Sequence, residues 1–379
     1  LAAAATLARL APWARGIGTV PSCVMNDPRA RDLAPLFEHV PSLVGLAGGL
    51  NVALEALESI ASEPPGDFSS EHQEARTWAS DLRASIIAAR PLASEMLGRL
   101  QLDASIAREM WEHTDFKMLF DEQRLLFSIG YNTAEGRLDG SYYDMLASEC
   151  RLASFLAIAK GDVPQEHWFR LGRAITQTNG GQALLSWSAS MFEYLMPLLV
   201  MRSWPTTLLD QTYTSVVKRQ IQYGAERGVP WGVSESAFNA KDSGLVYQYQ
   251  AFGVPGLGLK RGLSDEIVIA PYATVLALAV DPLEAIANLR VLVDAGARGR
   301  YGLFEALDFT PGRIPAGKSQ AIVKAYFAHH QGMSLIALGN ELTGRPMHDR
   351  FHRDPMVSSA ELLLQERVPR HIQFATPNI

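Results

Sequence analysis

Apolar residues recur at three- and four-residue spacing along nearly the whole chain, and this pattern constrains the fold more than any other feature. About twelve segments carry it. They lie at about residues 29–38, 42–63, 69–88, 90–114, 141–160, 164–177, 188–202, 207–227, 270–280, 282–296, 319–341 and 357–367. Strand-like sequence is sparse, and RLLFSIGYN at residues 124–132 is the best candidate. The chain is therefore predicted to be all-α, with at most one small hairpin.

The number of helices favours one helical architecture. About twelve helices make about six helical hairpins, as in an (α/α)6 toroid, where an inner ring of helices lies inside an outer ring and leaves a cleft at one end. The alternative is an array of helical repeats, but no sequence repeats at a fixed period. The predicted fold is an all-α (α/α)6 toroid with long aromatic loops at one end.

Three long loops interrupt the helical pattern, at residues 130–140, 228–269 and 296–318. Loops longer than about 12–15 residues are uncommon in compact domains and are usually functional or disordered. These loops are rich in aromatic residues and glycine, which argues against disorder. They are predicted to form the functional site on a helical scaffold.

Composition and short motifs exclude several classes of function. The net charge is −6 and no basic stripe is present, which argues against a nucleic-acid partner. No uncharged apolar run reaches about 18 residues, so no membrane-spanning helix is predicted. Cys23 and Cys150 lack metal-ligand spacing, and HExxH and CxxC are absent. GVPGLGLKRGL at residues 253–263 lacks the phosphate-binding pattern GxxxxGK[ST]. No metal and no cofactor are predicted.

Isolated acids lie in or beside the long loops, flanked by aromatic or apolar residues. They are Asp139, Asp144, Glu149, Glu193, Glu235, Glu305 and Asp308. For any one of them, a helix cap or a buried ion pair is the ordinary interpretation, because charged groups are rarely buried without a partner. Asp144, for example, is in a position to begin the helix predicted at 141–160.

Glu149 and Glu193 are harder to explain as surface acids. Glu149 lies in the apolar run MLASECRLASFLAIA, and burial there would raise its pKa, as a general acid requires. The alternative is a salt bridge to Arg151 or Arg173. Glu193 lies in MFEYLMPLLVM and could face a cleft, or it could accept a hydrogen bond from a neighbouring loop backbone.

Aromatic rings cluster in the same loops and would suit stacking on sugar rings. They are Trp187, Trp231, Phe238, Tyr247, Tyr249, Phe252, Tyr272, Tyr301 and Phe304. The alternative for each is core packing, since aromatic side chains bury a large apolar area. Core packing is the better interpretation for Trp187 and Phe304, and a place in the site is the better one for Trp231, Tyr247 and Tyr249.

The motifs, taken together, resemble a known family. IGYNTAEGRLDGSYYDMLASEC, ALLSWSASMFEYLMPLLVM, GVPWGVSESAFN, YQYQAFGVPGLGLKRGL, GRYGLFEALDFTP and AHHQGMSLIAL are similar to the glycoamylase-like middle domain of bacterial cyclic β-1,2-glucan synthases. The resemblance extends from about Asp115 to about Arg370. It implies a catalytic domain at 115–370, a helical lead-in at 1–114 that forms part of the barrel, and a tail at 371–379.

The resemblance also implies a reaction and the residues that perform it. Such domains are related to endo-β-1,2-glucanases; they cut a linear β-1,2-glucan and close it into a ring with retention. Glu235 would match the nucleophile and Glu149 the general acid/base, with Glu193 and Glu305 as alternatives. The expected substrate-binding residues are Asp139, Tyr143, Asp144, Trp187, Trp231, Tyr247, Tyr249, Phe252, Lys260, Arg261, Tyr301, His330 and Gln331.

The resemblance implies a setting for the domain as well. The chain has no initiating methionine and is expected to be a piece of a longer polypeptide that carries glucosyltransferase and phosphorylase-like domains. It would be a soluble cytoplasmic domain of a bacterial inner-membrane protein. Three alternatives remain open: an endo-β-1,2-glucanase that lets water attack, a non-catalytic glucan-binding module and a helical interaction scaffold.

Overall fold

The structure is a computed structural model that describes residues 2–62, 70–369, 373–375 and 377. It divides into two compact units, Leu1–Thr114 and Asp115–Ile379. Among the described residues, no helix is both long enough and apolar enough to cross a membrane. The remaining residues of the predicted tail lie outside the described ranges.

The first unit is helical throughout its described part. Its helices are α1 (Ala2–Leu10), α2 (Ala14–Ile17), α3 (Ser22–Met25), α4 (Ala30–Phe37), α5 (Asn51–Ala61) and α6 (Ser70–His113). Its core includes Leu33, Leu57, Leu82 and Ile86, which are almost fully buried. Within a helix the buried side chains recur at helical spacing, as Leu82, Ile86 and Ala89 do in α6, so each amphipathic helix buries one face against its neighbours.

Helix α6 is continuous where two helices are predicted, at 69–88 and 90–114. Pro91 lies inside it, and an interior proline costs about 3 kcal/mol by removing a backbone hydrogen bond and crowding the preceding turn. The buried face nevertheless continues across the proline through Ala89 and Ala93. Packing on that shared face offsets the proline penalty, so the prediction of two separate helices is wrong.

The second unit contains the remaining helices. They are α7 (Arg151–Lys160), α8 (Glu166–Arg170), α9 (Met191–Leu195), α10 (Leu208–Arg227), α11 (Pro271–Leu276), α12 (Pro282–Leu292), α13 (Ala328–Leu342), α14 (Pro346–His352) and α15 (Pro355–Ala360). Helix α10 ends at Gly228 in the left-handed conformation, which glycine adopts without strain. One continuous core, which includes Phe155, Trp168 and Tyr194, joins these helices to the loops.

Short antiparallel strands fill the second unit, so the expectation of at most one hairpin is wrong. They are β1 (Phe120–Asp121), β2 (Leu126–Ser128), β3 (Tyr131–Asn132), β4 (Arg137–Leu138), β5 (Tyr142–Tyr143), β6 (Ile175–Thr178), β7 (Gly181–Leu184), β8 (Ser236–Lys241), β9 (Tyr247–Gln250), β10 (Val268–Ile269), β11 (Arg298–Gly299), β12 (Gly302–Leu303), β13 (Ala306–Asp308) and β14 (Ala321–Val323). The two three-stranded sheets have the orders β1-β2-β5 and β10-β13-β14, and the other strands form two-stranded pairs. The strand predicted in RLLFSIGYN is present as β2 and β3.

Three predicted helices are shorter than expected, because parts of them form strands. The segments 141–160, 164–177 and 319–341 contribute only α7, α8 and α13 as helices, and the rest of each consists of turns and one short strand, β5, β6 or β14. Strands of two to four residues are too short for an alternating pattern to be distinguished from a helical one. β5 and β14 pair with strands more than ten residues away, and β6 forms a local hairpin with β7.

Candidate active site

Glu235 lies immediately before β8, and the segment from Trp231 that leads to it is tightly packed. Gly232 has a φ of +124°, and a Cβ there would lie 2.9 Å from Thr274 Oγ1. Val233 forms an isolated antiparallel bridge with Ile269. A glycine at 232 is therefore required for the chain to pass close to α11 and bring the half-buried Glu235 side chain into place.

Tyr272 fixes the backbone at Glu235. Its hydroxyl donates to the Glu235 carbonyl oxygen at 2.8 Å and lies 2.8 Å from the hydroxyl oxygen of Ser234. The Ser234 hydroxyl also accepts from the backbone N–H of Phe192 at 3.0 Å. Because Tyr272 and Ser234 are buried, these bonds hold the loop rigidly around the carboxylate.

Tyr249 is bonded to the Glu235 carboxylate from the neighbouring strand. Strand β9 pairs with β8 so that Tyr249 lies opposite Ala237. Burial, the charge of Glu235 and the hydrogen bond between the two side chains raise the pKa of Tyr249. The phenol therefore stays protonated at neutral pH and donates its proton to the carboxylate.

Glu305 and His330 form a buried pair beside this carboxylate. The Nδ1 atom of His330 lies 2.9 Å and 3.0 Å from the two oxygens of Glu305, and each side chain is 1% exposed. The backbone N–H of Ala237 also donates to Glu305, at 3.2 Å. The imidazole of His330 stacks on Tyr272 with a centroid distance of 3.7 Å. Glu305 is thus buried and engaged by two partners.

Glu149 lies in the turn before α7 and not on the buried stripe of a helix as predicted. Burial raises its pKa, and the charges of Glu193 and Glu235 add to the shift. A hydrogen bond from the Ser148 hydroxyl, at 3.2 Å, partly opposes it. A carboxyl group with a raised pKa retains its proton closer to neutral pH, which suits a general acid.

The salt bridges considered for Glu149 do not form. Arg173 pairs with Glu366 at 2.7 Å, and the buried guanidinium of Arg151 donates to the carbonyl oxygens of Leu146 and Tyr194. Within the ranges that the structure describes, no arginine is paired with Glu149. The acid is therefore left half-buried without a cationic partner.

Tyr143 lies near both Glu149 and Glu235. Burial raises the pKa of its phenol, and the charges of Glu149, Cys150 and Glu235 raise it further. One side chain is thus within electrostatic range of both Glu149 and Glu235. Tyr143, which is predicted to bind substrate, lies with the two candidate catalytic acids.

Glu193 has the structural role that was its alternative interpretation. Its carboxylate accepts from the hydroxyl of Ser186 at 2.8 Å, from the hydroxyl of Ser188 at 2.7 Å and from the backbone N–H of Ser190 at 3.2 Å. It also closes a capping box with Ser190 at the start of α9. A carboxylate with this many donors is held as an acceptor, and its charge acts on Glu149 from a fixed position.

The burial of Trp187 and Trp231 is the reverse of the prediction, which placed Trp187 in the core and Trp231 in the site. Trp187 is 48% exposed, and its indole N–H donates to Asp144 Oδ1 at 2.9 Å, so Asp144 holds the ring and does not cap a helix. Trp231 is 6% exposed and belongs to the main core, as does Phe252 at 3%. The two buried rings pack the scaffold, whereas Trp187 offers an open face.

The glycine-rich segment after Phe252 packs against the loop that carries Trp187. A Cβ at Gly253 would lie 1.7 Å from the carbonyl oxygen of Ser188, and one at Gly258 would lie 2.8 Å from Ala189 Cβ. These glycines are needed because two backbone segments touch. Close packing therefore explains the sequence that superficially resembles a phosphate-binding loop.

Two predicted substrate-binding residues, Tyr301 and Gln331, lie in the β11–β12 turn and in α13. The Tyr301 ring is 71% exposed and meets Tyr326 edge-on at 5.8 Å. The side chain of Gln331 donates to the carbonyl oxygen of Leu303 at 3.2 Å. Gln331 thus fixes the β11–β12 turn that carries Tyr301.

Three other predicted residues have local partners of their own, and a fourth, Arg261, lines a cavity. Asp139 is exposed and accepts from the backbone N–H of Ser141 at 2.9 Å. Tyr247 packs under the ammonium of Lys241, 4.6 Å from the ring centroid. Lys260 donates to the Ala251 carbonyl oxygen at 2.7 Å. Lys260 and Arg261 line a cavity of about 320 Å³ with Gln250 and Glu266.

Sequence reasoning missed the importance of Tyr272 and of an ion cluster behind β8. Arg313 Nε donates to the buried Asp308 at 2.6 Å, and its guanidinium also bonds to Glu266. The same guanidinium lies 4.6 Å from the ring centroid of Phe238. Asp308 is thus a buried ion-pair acid. No group of three histidine, cysteine or acidic side chains among the described residues is arranged to hold a metal ion.

Comparison with known proteins identifies the family of this chain. The family model Glycoamylase, described as "Putative glucoamylase", matches residues 141–355, which is more than half of the chain. The chain belongs to the glycoamylase family. The match confirms the resemblance carried by the loop motifs, and the matched range contains Glu149, Glu193, Glu235 and Glu305.

Within curated proteins, the chain is 49% identical over 306 residues to the cyclic beta-(1,2)-glucan synthase NdvB of Rhizobium meliloti (strain 1021). The match covers 79% of this chain and 11% of that protein. The chain thus spans about a tenth of the length of the curated relative.

Two solved structures have a similar fold. An endo-beta-1,2-glucanase from Chitinophaga pinensis, in complex with sophorotriose and glucose, has a TM-score of 0.50 at 14% identity, covering 84% of this chain and 71% of that one. A beta-1,2-glucanase from Parabacteroides distasonis also has a TM-score of 0.50 at 14% identity, covering 87% and 46%. At this identity the likeness shows the fold alone, a mainly helical one.

Proposed function

We propose that this domain is a retaining transglycosylase that cleaves linear β-1,2-glucan and closes it into a ring, with Glu235 as nucleophile and Glu149 as general acid/base. The observation that carries the proposal is the pairing of two acids in different environments. Burial raises the pKa of Glu149, while Glu235 accepts a hydrogen bond from Tyr249. A buried carboxyl group with a raised pKa can serve as the acid, and a carboxylate held by a hydrogen-bond donor can serve as the nucleophile.

The first step breaks the glycosidic bond. A Glu235 carboxylate oxygen attacks the anomeric carbon, and the bond from that carbon to the 2-oxygen of the next glucose breaks. The departing oxygen takes the proton of Glu149, directly or through a substrate hydroxyl, because a β-1,2 linkage crowds the glycosidic oxygen. A glucosyl ester of Glu235 and a free chain fragment result.

The second step closes the ring. The 2-hydroxyl at the non-reducing end of the same chain attacks the anomeric carbon of the ester, and Glu149, now a carboxylate, takes the hydroxyl proton. The carboxylate of Glu235 is released, and two inversions give net retention. The exposed face of Trp187, held by Asp144, suits stacking on a glucose ring along this path.

A hydrolytic function on the same fold is the second candidate. The two β-1,2-glucanases of similar fold favour it. Water would then attack in place of the sugar hydroxyl, and the products would be short linear chains. The 49% identity to a cyclic glucan synthase supports transfer over hydrolysis.

The same relative suggests a setting. As the counterpart of one part of a longer synthase, the domain would be joined to glucosyltransferase and phosphorylase-like domains and would lie on the cytoplasmic side of a bacterial inner membrane. The catalytic domain would adopt the (α/α)6 toroid expected from the sequence. An experimental structure of the longer polypeptide would test both the neighbouring domains and the toroid.

The test is incubation of the purified chain with linear β-1,2-glucan of known length, followed by mass spectrometry. A ring has one water fewer than the linear chain of the same length, so ring masses are expected. Linear products alone would favour the hydrolase, and intact substrate with retained binding would favour a binding module.

Glu235→Gln and Glu149→Gln are each expected to abolish product formation while glucan binding persists. Glu166→Gln, an exposed acid at the start of α8, serves as the matched control with unchanged products. Turnover by Glu235→Gln close to that of the parent chain would overturn the assignment of the nucleophile.

A further inference from the structure

A line of hydrogen-bonding groups leads from the buried core to the proposed nucleophile. Glu305 is bonded to Nδ1 of His330 at 2.9 Å, and Nε2 of the same ring lies 3.4 Å from the Tyr249 hydroxyl. That hydroxyl is in turn bonded to Glu235. Of these groups, only Glu235 forms or breaks a bond to the sugar in the proposed steps.

The chemistry of each group assigns the protons along this line. Glu305 is a pure acceptor when ionised, so Nδ1 of His330 carries the proton that lies between them. Nε2 of the neutral ring is then an acceptor facing Tyr249. The Tyr249 hydroxyl has one proton and two acceptors, the Glu235 carboxylate and Nε2. A charged acceptor binds the proton more strongly, which agrees with the long 3.4 Å contact to Nε2.

Packing fixes the line in place. The His330 ring lies between Tyr272, at 3.7 Å, and the rings of Phe327 and Tyr249, at 5.9 Å and 6.2 Å. Phe327 stacks on Tyr249 at 5.5 Å and an interplanar angle of 17°. The stacking on Tyr272 and the bond to Glu305 hold the buried imidazole, so that its Nε2 faces the phenol.

We propose that Glu305 and His330 are positioning residues that offer the Tyr249 proton a second acceptor when the Glu235 carboxylate becomes an ester. This inference rests on the proposed role of Glu235. In the resting enzyme the phenol donates to the carboxylate. In the glycosyl-enzyme the ester is a weaker acceptor, and the phenol turns its proton to His330 Nε2. When the ester is cleaved, the proton returns to the regenerated carboxylate.

Glu305 determines whether this exchange is possible. In Glu305→Gln the amide oxygen can still accept from Ala237, but its N–H₂ faces Nδ1 and makes that nitrogen the acceptor. The proton of the ring moves to Nε2, which then no longer accepts from Tyr249. The phenol is left without a second acceptor in the intermediate, whereas substrate binding in the ground state is untouched.

The experiment is a double-mutant cycle on linear β-1,2-glucan with Glu305→Gln, Tyr249→Phe and the combined variant, each measured for kcat and KM. Glu305→Gln is expected to lower kcat by about 10- to 100-fold, the effect of one hydrogen bond to a charged group, with KM nearly unchanged. Because Glu305 acts through Tyr249, the combined variant should be no slower than Tyr249→Phe.

Glu361→Gln is the matched control, since Glu361 bonds to Nδ1 of the buried His352 at 2.6 Å and has no contact with this line. It is expected to leave kcat unchanged. Losses that multiply in the combined variant, or a Glu305→Gln effect no larger than that of the control, would overturn the proposal. If Glu235→Gln is inactive, the proposed function stands whatever the result of the double-mutant cycle. If Glu235→Gln is active, both the proposed function and the role proposed for Glu305 and His330 fail.

A second measurement needs no change in the buried pair. In chain labelled with ¹⁵N-histidine, the ring shifts of His330 report which nitrogen carries the proton, and its signal is identified as the one that moves in Tyr249→Phe. A proton on Nδ1 and none on Nε2 is the expected state. A ring protonated only on Nε2 would contradict the proposal even if Glu305→Gln does not fold.

Discussion

The backbone N–H of Ser188 donates to both carboxylate oxygens of Glu193, at 3.0 Å and 3.1 Å. The serine hydroxyl donates to the same carboxylate at 2.7 Å. Glu193 therefore fixes the loop that presents Trp187. Its charge is also one of the two that raise the pKa of Glu149.

Glu193→Gln is expected to lower the free energy of unfolding by about 2 kcal/mol, because an amide N–H₂ would face buried donors that have lost their acceptor. Urea denaturation measures the change, and Glu166→Gln, at an exposed position, should alter stability little. Full stability combined with a complete loss of turnover would instead identify Glu193 as a catalytic acid.

Glu149→Gln is expected to raise thermal stability more at pH 8 than at pH 4. The folded-state pKa of Glu149 is raised, so between its unfolded and folded pKa values the native state binds more protons than the unfolded state does. The parent chain loses stability as pH rises through that window. The amide does not titrate. The gap in Tm between the two proteins should therefore be small at pH 4 and larger at pH 8, and an equal gap at both would contradict the shift.

Trp187→Ala is expected to weaken glucan binding by up to about tenfold and to leave the Tm nearly unchanged, because the ring is half exposed. Trp231→Phe is expected to do the reverse, lowering stability by about 2 kcal/mol through a cavity in the core. Calorimetric titration with Glu235→Gln as background separates binding from turnover. Unchanged affinity in Trp187→Ala would remove the ring from the binding site.

Gly253→Ala is expected to lower the free energy of unfolding by more than about 2 kcal/mol, because its Cβ would lie 1.7 Å from the Ser188 carbonyl oxygen. The loop that carries Trp187 would have to move, so glucan affinity should fall as well. Gly312→Ala, where no atom lies within 4 Å, is the matched control. Equal stability of the two variants would show that the loops are not in contact.

Local sequence predicted the long helices and the loops that hold the site. The segments 207–227 and 282–296 correspond closely to Leu208–Arg227 and Pro282–Leu292, because a side-chain cap or an early proline starts each and apolar spacing sustains it. The strands were not predictable, since each is only two to six residues long, too short for an alternating pattern to stand out. Glu149 lies inside the helix predicted at 141–160, but the structure places it in the turn before α7.

The sequence by itself determined which side chains are available: acids without neighbouring charges, rings among glycines and the motif that contains Glu235. Only the tertiary structure decided their roles. It buried Trp231 and exposed Trp187, bonded Glu193 to three serines and Glu305 to His330, and placed no paired arginine beside Glu149 within the described ranges. Exposure and pKa depend on the side chains that pack against a residue. Several of these come from segments tens of residues away along the chain, as His330 does for Glu305 and Asp144 for Trp187.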